Sequence, residues 1–268
     1  MPTICVCVEP LFGDNSLVEK AANVTAAGFR AIEFWFYDAP EDRNLEALAT
    51  QCRDTGLAVN DMVVNSPDGA IGGSLVSVAD KPQYLARLRE TIAVARKLDC
   101  KKLITCSGNT LSDVPRERQH QAIVETLTEA AAIASQEGMT LLLEPLNSLV
   151  EHPGYYLDSG HEAAEIVREV GNPHLRLLWD IYHMQIMHGN VLDNIAQYID
   201  IIGHFHAAGV PGRHELDTGE LNYPAILSSI ATASYEGAFG LEYWPAEADH
   251  ATSLARMRQY TTAAAGWV

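Results

Sequence analysis

Glu144, Asp180, His206 and Glu242 are the residues of this sequence whose types and spacing point most directly to chemistry. They are separated by 36, 26 and 36 positions, and each stands where a short apolar run gives way to turn residues: LLLEPLN, LRLLWDIYHMQ, IIGHFHAAG and FGLEYWP. Three carboxylates and one imidazole make a hard, oxygen-dominated donor set, which suits Mn2+, Mg2+ or Co2+ better than a thiolate-rich structural zinc site would. Carboxylates gathered without a cation repel until one protonates, and a divalent ion removes that conflict. Taken singly, each residue is an ordinary helix cap or surface acid. Taken together, at the ends of consecutive apolar runs, they form a candidate site for one divalent metal ion.

Other residues extend the pattern. His183 follows Asp180 by three positions in DIYHMQ, so Asp180 can hold the ion while His183 reaches a substrate oxygen. In HFH, residues 204 and 206 share a strand face. His206, the outer one, is the better ligand, and His204 is expected one layer deeper. Arg213, in the loop GVPGRHELDTGELNY, is a candidate to hold a substrate carboxylate or hydroxyl by paired hydrogen bonds; its plainer reading is a surface Arg paired with Glu215 or Asp217. AAGFRAIEFWFY echoes SYEGAFGLEYWP and brings Glu33 near a strand end, where a supporting or surface role is favoured over ligation. Cys5 and Cys7 share a strand face and read as small buried residues rather than a metal site. Ser107-Gly108-Asn109 could offer amide groups to an anion, and Trp35, Trp179, Trp244, Tyr155 and Tyr156 could wall a pocket. No G-x-S-x-G, P-loop or dinucleotide fingerprint occurs. The acidic PAEADH and the lack of a glycine-rich phosphate cup disfavour a phosphorylated substrate.

These residues need strands to carry them. Apolar β-rich runs fall near 3–8, 30–36, 58–64, 101–106, 139–144, 175–180, 201–206 and 238–243, alternating with segments of helical period. Helices are predicted at 16–27, 115–137 and 159–170, with Ser16, Pro115 and Ser159 as start signals and Gly28, Gly138 and Gly171 as stops. Eight βα units with no linker across 1–268 predict an α/β fold, a single (β/α)8 barrel forming one domain, over an open doubly wound sheet. In such a barrel the strand ends converge on one pocket. The segment 65–80, without clear period and rich in glycine, is expected over that face as a mobile lid.

Composition narrows the partners. A net charge of −17 repels nucleic acid and anionic membranes. MPTICVCVEPLFG has no basic start, Glu9 interrupts its apolar stretch, and the five cysteines lack paired spacing, so a soluble cytoplasmic protein with reduced thiols is expected.

The stretches LFGDNSLVEKAANVTAAGFRAIEFWF, LLLEPLN, PGYYL, WDIYHMQ, GRHELDTGELNY and GLEYWP cover nearly the whole chain. In them the sequence resembles the hydroxypyruvate isomerase family of the xylose-isomerase-like TIM barrel superfamily, which also contains ketose 3-epimerases. The resemblance implies that Glu144, Asp180, His206 and Glu242 bind one divalent metal, that Glu144 and Glu242 also move the proton, that His183 and Arg213 contact a sugar or keto-acid substrate, and that the chain forms a dimer or tetramer. Two departures stand out. The isomerases commonly carry Gln where this sequence has His206, which matches the epimerase pattern, and they usually show Asp where AAG follows. The implied reaction is isomerisation of a small α-hydroxycarbonyl compound through a cis-enediolate, with hydroxypyruvate to tartronate semialdehyde as its leading form. Ketose 3-epimerisation is the alternative. Dehydration of a keto-inositol, an endonuclease and a noncatalytic sugar-binding barrel are weaker ones.

Overall fold

The computed structural model describes residues 2–39 and 43–267. Eight parallel strands close on themselves in sequence order, with β1 hydrogen-bonded to both β2 and β8. They are β1 (Thr3–Cys7), β2 (Ala31–Phe34), β3 (Ala58–Val63), β4 (Lys102–Thr105), β5 (Thr140–Leu143), β6 (Leu175–Asp180), β7 (Ile202–Ala207) and β8 (Ala238–Leu241). Helices α1 (Leu17–Ala26), α2 (Leu45–Thr55), α3 (Lys81–Lys97), α4 (Arg116–Glu137), α5 (Gly160–Val170), α6 (Ile181–Met187), α7 (Val191–Tyr198), α8 (Tyr223–Thr232) and α9 (His250–Ala265) make the connections between strands and close the chain. The fold is the (β/α)8 barrel read from the sequence, and each of the eight apolar runs coincides with a strand, β7 running one residue beyond its run.

The helix signals work through backbone groups that a helix leaves unpaired at its ends. Ser16 Oγ accepts from the Glu19 amide while the Glu19 carboxylate accepts from the Ser16 amide, a reciprocal cap on α1. Gly138 and Gly171 end α4 and α5 in the left-handed conformation, at φ 67° and 62°.

Along each strand alternate residues face the barrel interior, pairing Cys5 with Cys7, Leu142 with Glu144, Leu178 with Asp180, His204 with His206 and Gly240 with Glu242. Val63, Ile104, Leu142 and Leu178 form an apolar cluster. Most of the remaining apolar burial lies in one larger core, with residues from strands and helices alike. Two strand pairings shift register, between Ile32 and Phe34 against β3, and between Leu177 and Leu178 against β7. The extra residue therefore falls in β3 and in β7, the strands that carry buried Asp61 and His204. A bulge re-aims side chains, and here both bulges serve a polar layer beneath the strand ends. Gly203 lies at the β7 bulge, where a Cβ would meet Arg176 Cβ at 2.7 Å and Leu142 Cδ2 at 2.9 Å.

The segment 65–80 is pinned rather than built as a free lid. Asn65 donates to the carbonyls of Gly73 and Cys106 at 3.0 and 2.9 Å, and Leu75 and Val76 are buried. Its glycines serve close packing, since a Cβ at Gly72 would lie 2.9 Å from Asn65 Cβ and from Arg87 Cγ. Among the described residues no helix is long and apolar enough to cross a membrane.

Candidate active site

Glu144 directly follows β5, Asp180 ends β6, His206 is next to last in β7, and Glu242 directly follows β8. The structure brings one ligand atom from each within 4.8 Å of the others, and all four residues are buried. His206 Nδ1 lies 3.4 Å from Glu144 Oε1 and 3.3 Å from Glu242 Oε2. Both His206 ring nitrogens are buried without a hydrogen-bond partner, which fits a donor set able to hold a cation. Three buried acids around one imidazole are the donor set that a hard divalent ion would satisfy.

The charges in this cluster are pushed apart. Burial disfavours the charged form of every member. It raises Glu144 above the ordinary carboxylate range and Asp180 to about 7. Burial also opposes ionisation of Glu242, but the Arg213 guanidinium and His206 outweigh it and hold Glu242 well below its usual value. His206 is likewise penalised by burial, yet Glu33 and Glu242 hold it well above the ordinary imidazole range. Asp180 also caps α6, since its Oδ1 accepts from the amides of Tyr182 and His183 at 2.7 and 3.2 Å. The cap reading and the ligand reading of this residue are therefore compatible.

A cavity of about 360 Å³ opens above the cluster, lined by Glu144, Glu242, His183 and Arg213 and walled by Trp35 and Trp244 among others. His183 is buried in the first turn of α6. The Asn147 backbone amide donates to its Nδ1 at 3.2 Å. An amide can only donate, so Nδ1 carries the lone pair and the ring proton sits on Nε2. Burial and the Arg213 charge keep the ring neutral by holding its pKa well below the usual value. His183 Nε2 has no hydrogen-bond partner and lies 3.4 Å from Asp180 Oδ2, which leaves it as a donor beside the cluster.

Arg213 is buried, not a surface residue paired with Glu215 or Asp217; Arg256 faces those two acids instead, at 3.9 and 2.7 Å. Its guanidinium lies 2.5 Å from Glu242 Oε2, 3.4 Å from Glu151 Oε2 and 3.7 Å from Asp180 Oδ2, and 5.2 Å from the centre of the Trp244 ring. The backbone at Arg213 is left-handed, at φ 56°, an uncommon conformation that persists where surroundings enforce it. Here the Trp244 amide donates to the Arg213 carbonyl at 2.7 Å, tying the loop after β7 to the end of β8.

Several other expectations are settled by position. Trp35 lines the cavity and donates from Nε1 to Glu242 Oε1 at 2.8 Å. Trp179 instead stacks on Tyr198 in the buried core, Tyr155 donates to the Glu144 carbonyl from below, and Tyr156 packs under Arg116. The Ser107 amide donates to the Tyr155 hydroxyl at 2.8 Å, so it is not available to an anion. Cys5 and Cys7 are buried, and their thiols face Glu33 and Glu242 at 2.9 and 3.6 Å. Glu151, which no sequence signal marked, lines the cavity and receives bonds from Tyr182, Asn147 and Arg213. It lies in the long connection after β5, where neither periodicity nor a motif singles it out.

Comparison with known proteins places the chain in a family. Hydroxypyruvate isomerase of Escherichia coli K12 is 32% identical over 88% of this chain and 90% of its own. 2-Oxo-tetronate isomerase of Cupriavidus necator is 31% identical over 100% of this chain and 98% of its own. Among solved structures, one described as an AP endonuclease, family 2, from Brucella melitensis superposes with a TM-score of 0.87 at 29% identity, over 97% of this chain and 99% of that one. The family model described as xylose isomerase-like TIM barrel matches residues 21–260. The closed eight-stranded barrel, the acids at its strand ends and this match across most of the chain show that it belongs to the xylose isomerase-like TIM barrel family.

Proposed function

We propose that this protein is a divalent-metal-dependent isomerase of a small α-hydroxycarbonyl compound bearing a carboxylate, with hydroxypyruvate to tartronate semialdehyde as its lead reaction. That the chain is an enzyme of the sugar isomerase/epimerase kind follows from its relatives; the substrate and the roles of individual residues are our reading. The observation that carries it is the convergence of Glu144, Asp180, His206 and Glu242 beside one cavity that also holds His183 and Arg213. Hydroxypyruvate and 2-oxo-tetronate, the compounds in the relatives' names, both place a carboxylate next to a ketone, and Arg213 is the cation at hand to receive it.

Glu144, Asp180, His206 and Glu242 would hold the ion, which when bound supplies Lewis acidity that lowers the pKa of the proton next to the carbonyl. Glu242, kept ionised by Arg213 and His206, accepts that carbon-bound proton and returns it to the neighbouring carbon, while a hydroxyl proton passes to the former carbonyl oxygen. His183 Nε2–H donates where negative charge develops on oxygen. Glu144, after β5 rather than β8, stands at another side of the cavity as the second acid able to move a proton, with burial raising its pKa. The Trp35 and Trp244 walls limit water around the reacting carbons.

The same pair of glutamates would serve a ketose 3-epimerase, with abstraction and return on opposite faces of one carbon, and His206 favours that second reading. An endonuclease reading is opposed by the net charge of −17. The deciding experiment is NMR in deuterated buffer with Mn2+, offering hydroxypyruvate, 2-oxo-tetronate, tetruloses, pentuloses and hexuloses. Deuterium entering hydroxypyruvate with formation of tartronate semialdehyde is the expected result; epimerised ketose with inert keto acids would replace the lead reaction by its rival.

A further inference from the structure

Beneath the candidate ligands lies a second polar layer that the proposed reaction does not use. Glu33 of β2, Asp61 of β3 and His204 of β7 are all buried inside the barrel, and His206 joins the layer from above. Glu33 Oε2 faces His204 Nε2 at 3.0 Å and accepts from the Cys5 thiol at 2.9 Å. Its other oxygen, Oε1, has no hydrogen-bond partner and lies 3.2 Å from His206 Nε2. The two nitrogens of His206 are thus divided between two layers: Nδ1 faces Glu144 and Glu242, and Nε2 faces Glu33.

Gly240 of β8 provides an independent sign that this pair is built. It is the register partner of His206 across β7 and β8. A Cβ there would fall 2.5 Å from Glu33 Oε1 and 2.7 Å from His206 Cδ2. Its φ is not in the left-handed region, so the lack of a side chain provides space rather than backbone freedom. Any larger residue would wedge into the contact between Glu33 and His206.

We infer that Glu33 is a positioning residue for His206: its carboxylate engages Nε2, keeps Nδ1 turned toward the acidic cluster, and so sets the affinity of the site for a divalent cation. Outer-shell carboxylates behind ligating histidines act in this way by fixing the tautomer and raising the basicity of the ligand. Gly240 supplies the room for the contact. The inference rests on the reading of Glu144, Asp180, His206 and Glu242 as a metal site.

The test is Mn2+ binding, followed by calorimetry and by the EPR signal of free ion, for the full chain and its Glu33→Ala, Glu33→Gln and Gly240→Ala variants. The wild type is expected to bind one Mn2+. Glu33→Ala should bind it about 10- to 100-fold more weakly. Glu33→Gln, which keeps a neutral acceptor of nearly the same shape, should recover part of that loss, and Gly240→Ala should weaken binding with the Glu33 carboxylate still present. A purely structural role would move the melting temperature of the metal-free proteins and leave the affinity of the folded Gln variant unchanged; that result overturns the inference. Equal affinity in Glu33→Ala and wild type overturns it too. Two Mn2+ per chain, with one lost on removing Glu33, would make Glu33 a ligand and not a positioning residue. A wild type that binds no Mn2+ defeats the metal reading itself, which separates that failure from the others.

Discussion

His183 owes its chemical state to a main-chain group: the Asn147 amide at its Nδ1 leaves the proton on Nε2, so a residue three positions from Asp180 becomes a neutral donor. Glu242 owes its state to charge, since Arg213 and His206 keep it ionised against the cost of burial. Glu242→Gln should therefore lower the rate of substrate deuterium exchange by about 10²- to 10⁴-fold, the usual worth of a positioned general base, while substrate binding measured by calorimetry changes far less. Exchange at the wild-type rate would remove the role assigned to it. Arg213→Lys retains the charge and loses the planar fork. For a carboxylated substrate this should cost about 10- to 100-fold in kcat/KM, as loss of a charge-assisted hydrogen bond does; steady-state rates on hydroxypyruvate and on a carboxyl-free ketose give the comparison, with the smaller loss expected for the ketose.

The loop after β7 shows how a connecting element fixes a reactive group. It carries Arg213 at its inner side and is anchored by Glu215, which is buried and accepts from Ser253 Oγ at 2.7 Å and from the Ala246 amide at 3.2 Å. Burial acts to raise the Glu215 pKa, but those bonds and the Arg256 charge overcome it and hold the group below its ordinary value. A carboxylate with a depressed folded pKa stabilises the protein above its unfolded pKa of about 4.3, and that contribution disappears as pH falls through the folded value. Glu215→Gln should therefore be less stable than wild type by about 1–3 kcal/mol at neutral pH, with the gap narrowing below about pH 4; thermal melts across pH 3–8 test this. The connection after β3 makes a similar point. Its glycines suggested motion when read along the chain, but buried Asn65 bridges Gly73 and Cys106. Asn65→Ala strands these carbonyls and should destabilise by about 1–3 kcal/mol in urea unfolding.

For the molecule as a whole, the acidic cluster gathers buried carboxylates whose repulsion a bound cation would relieve. Binding to the folded state alone adds stability as ligand concentration rises above Kd, about 2.7 kcal/mol at a hundredfold excess. Saturating Mn2+ should then raise the melting temperature by about 5–10 °C, and Asp180→Ala should abolish the rise. An unchanged melt in wild type would argue against a resident ion. The barrel itself was legible in the chain because the eight strands and the helices α1, α4 and α5 declare themselves locally, through apolar runs of period two or 3.6 and through caps such as Ser16 and Gly138 that act within one helical turn. Four strand ends bearing Glu144, Asp180, His206 and Glu242 could be picked out for the same reason. Other features depend on residues far apart in sequence, and only the closed sheet brought them together. Glu33 and Gly240 meet across 207 positions because β2 and β8 both border β1. The bulges in β3 and β7, the neutral His183 and the recruitment of Glu151 likewise arise from contacts between elements. Local periodicity determined where strands begin and end; barrel closure decided which buried groups face one another, because charge, burial and hydrogen bonding act through space rather than along the chain.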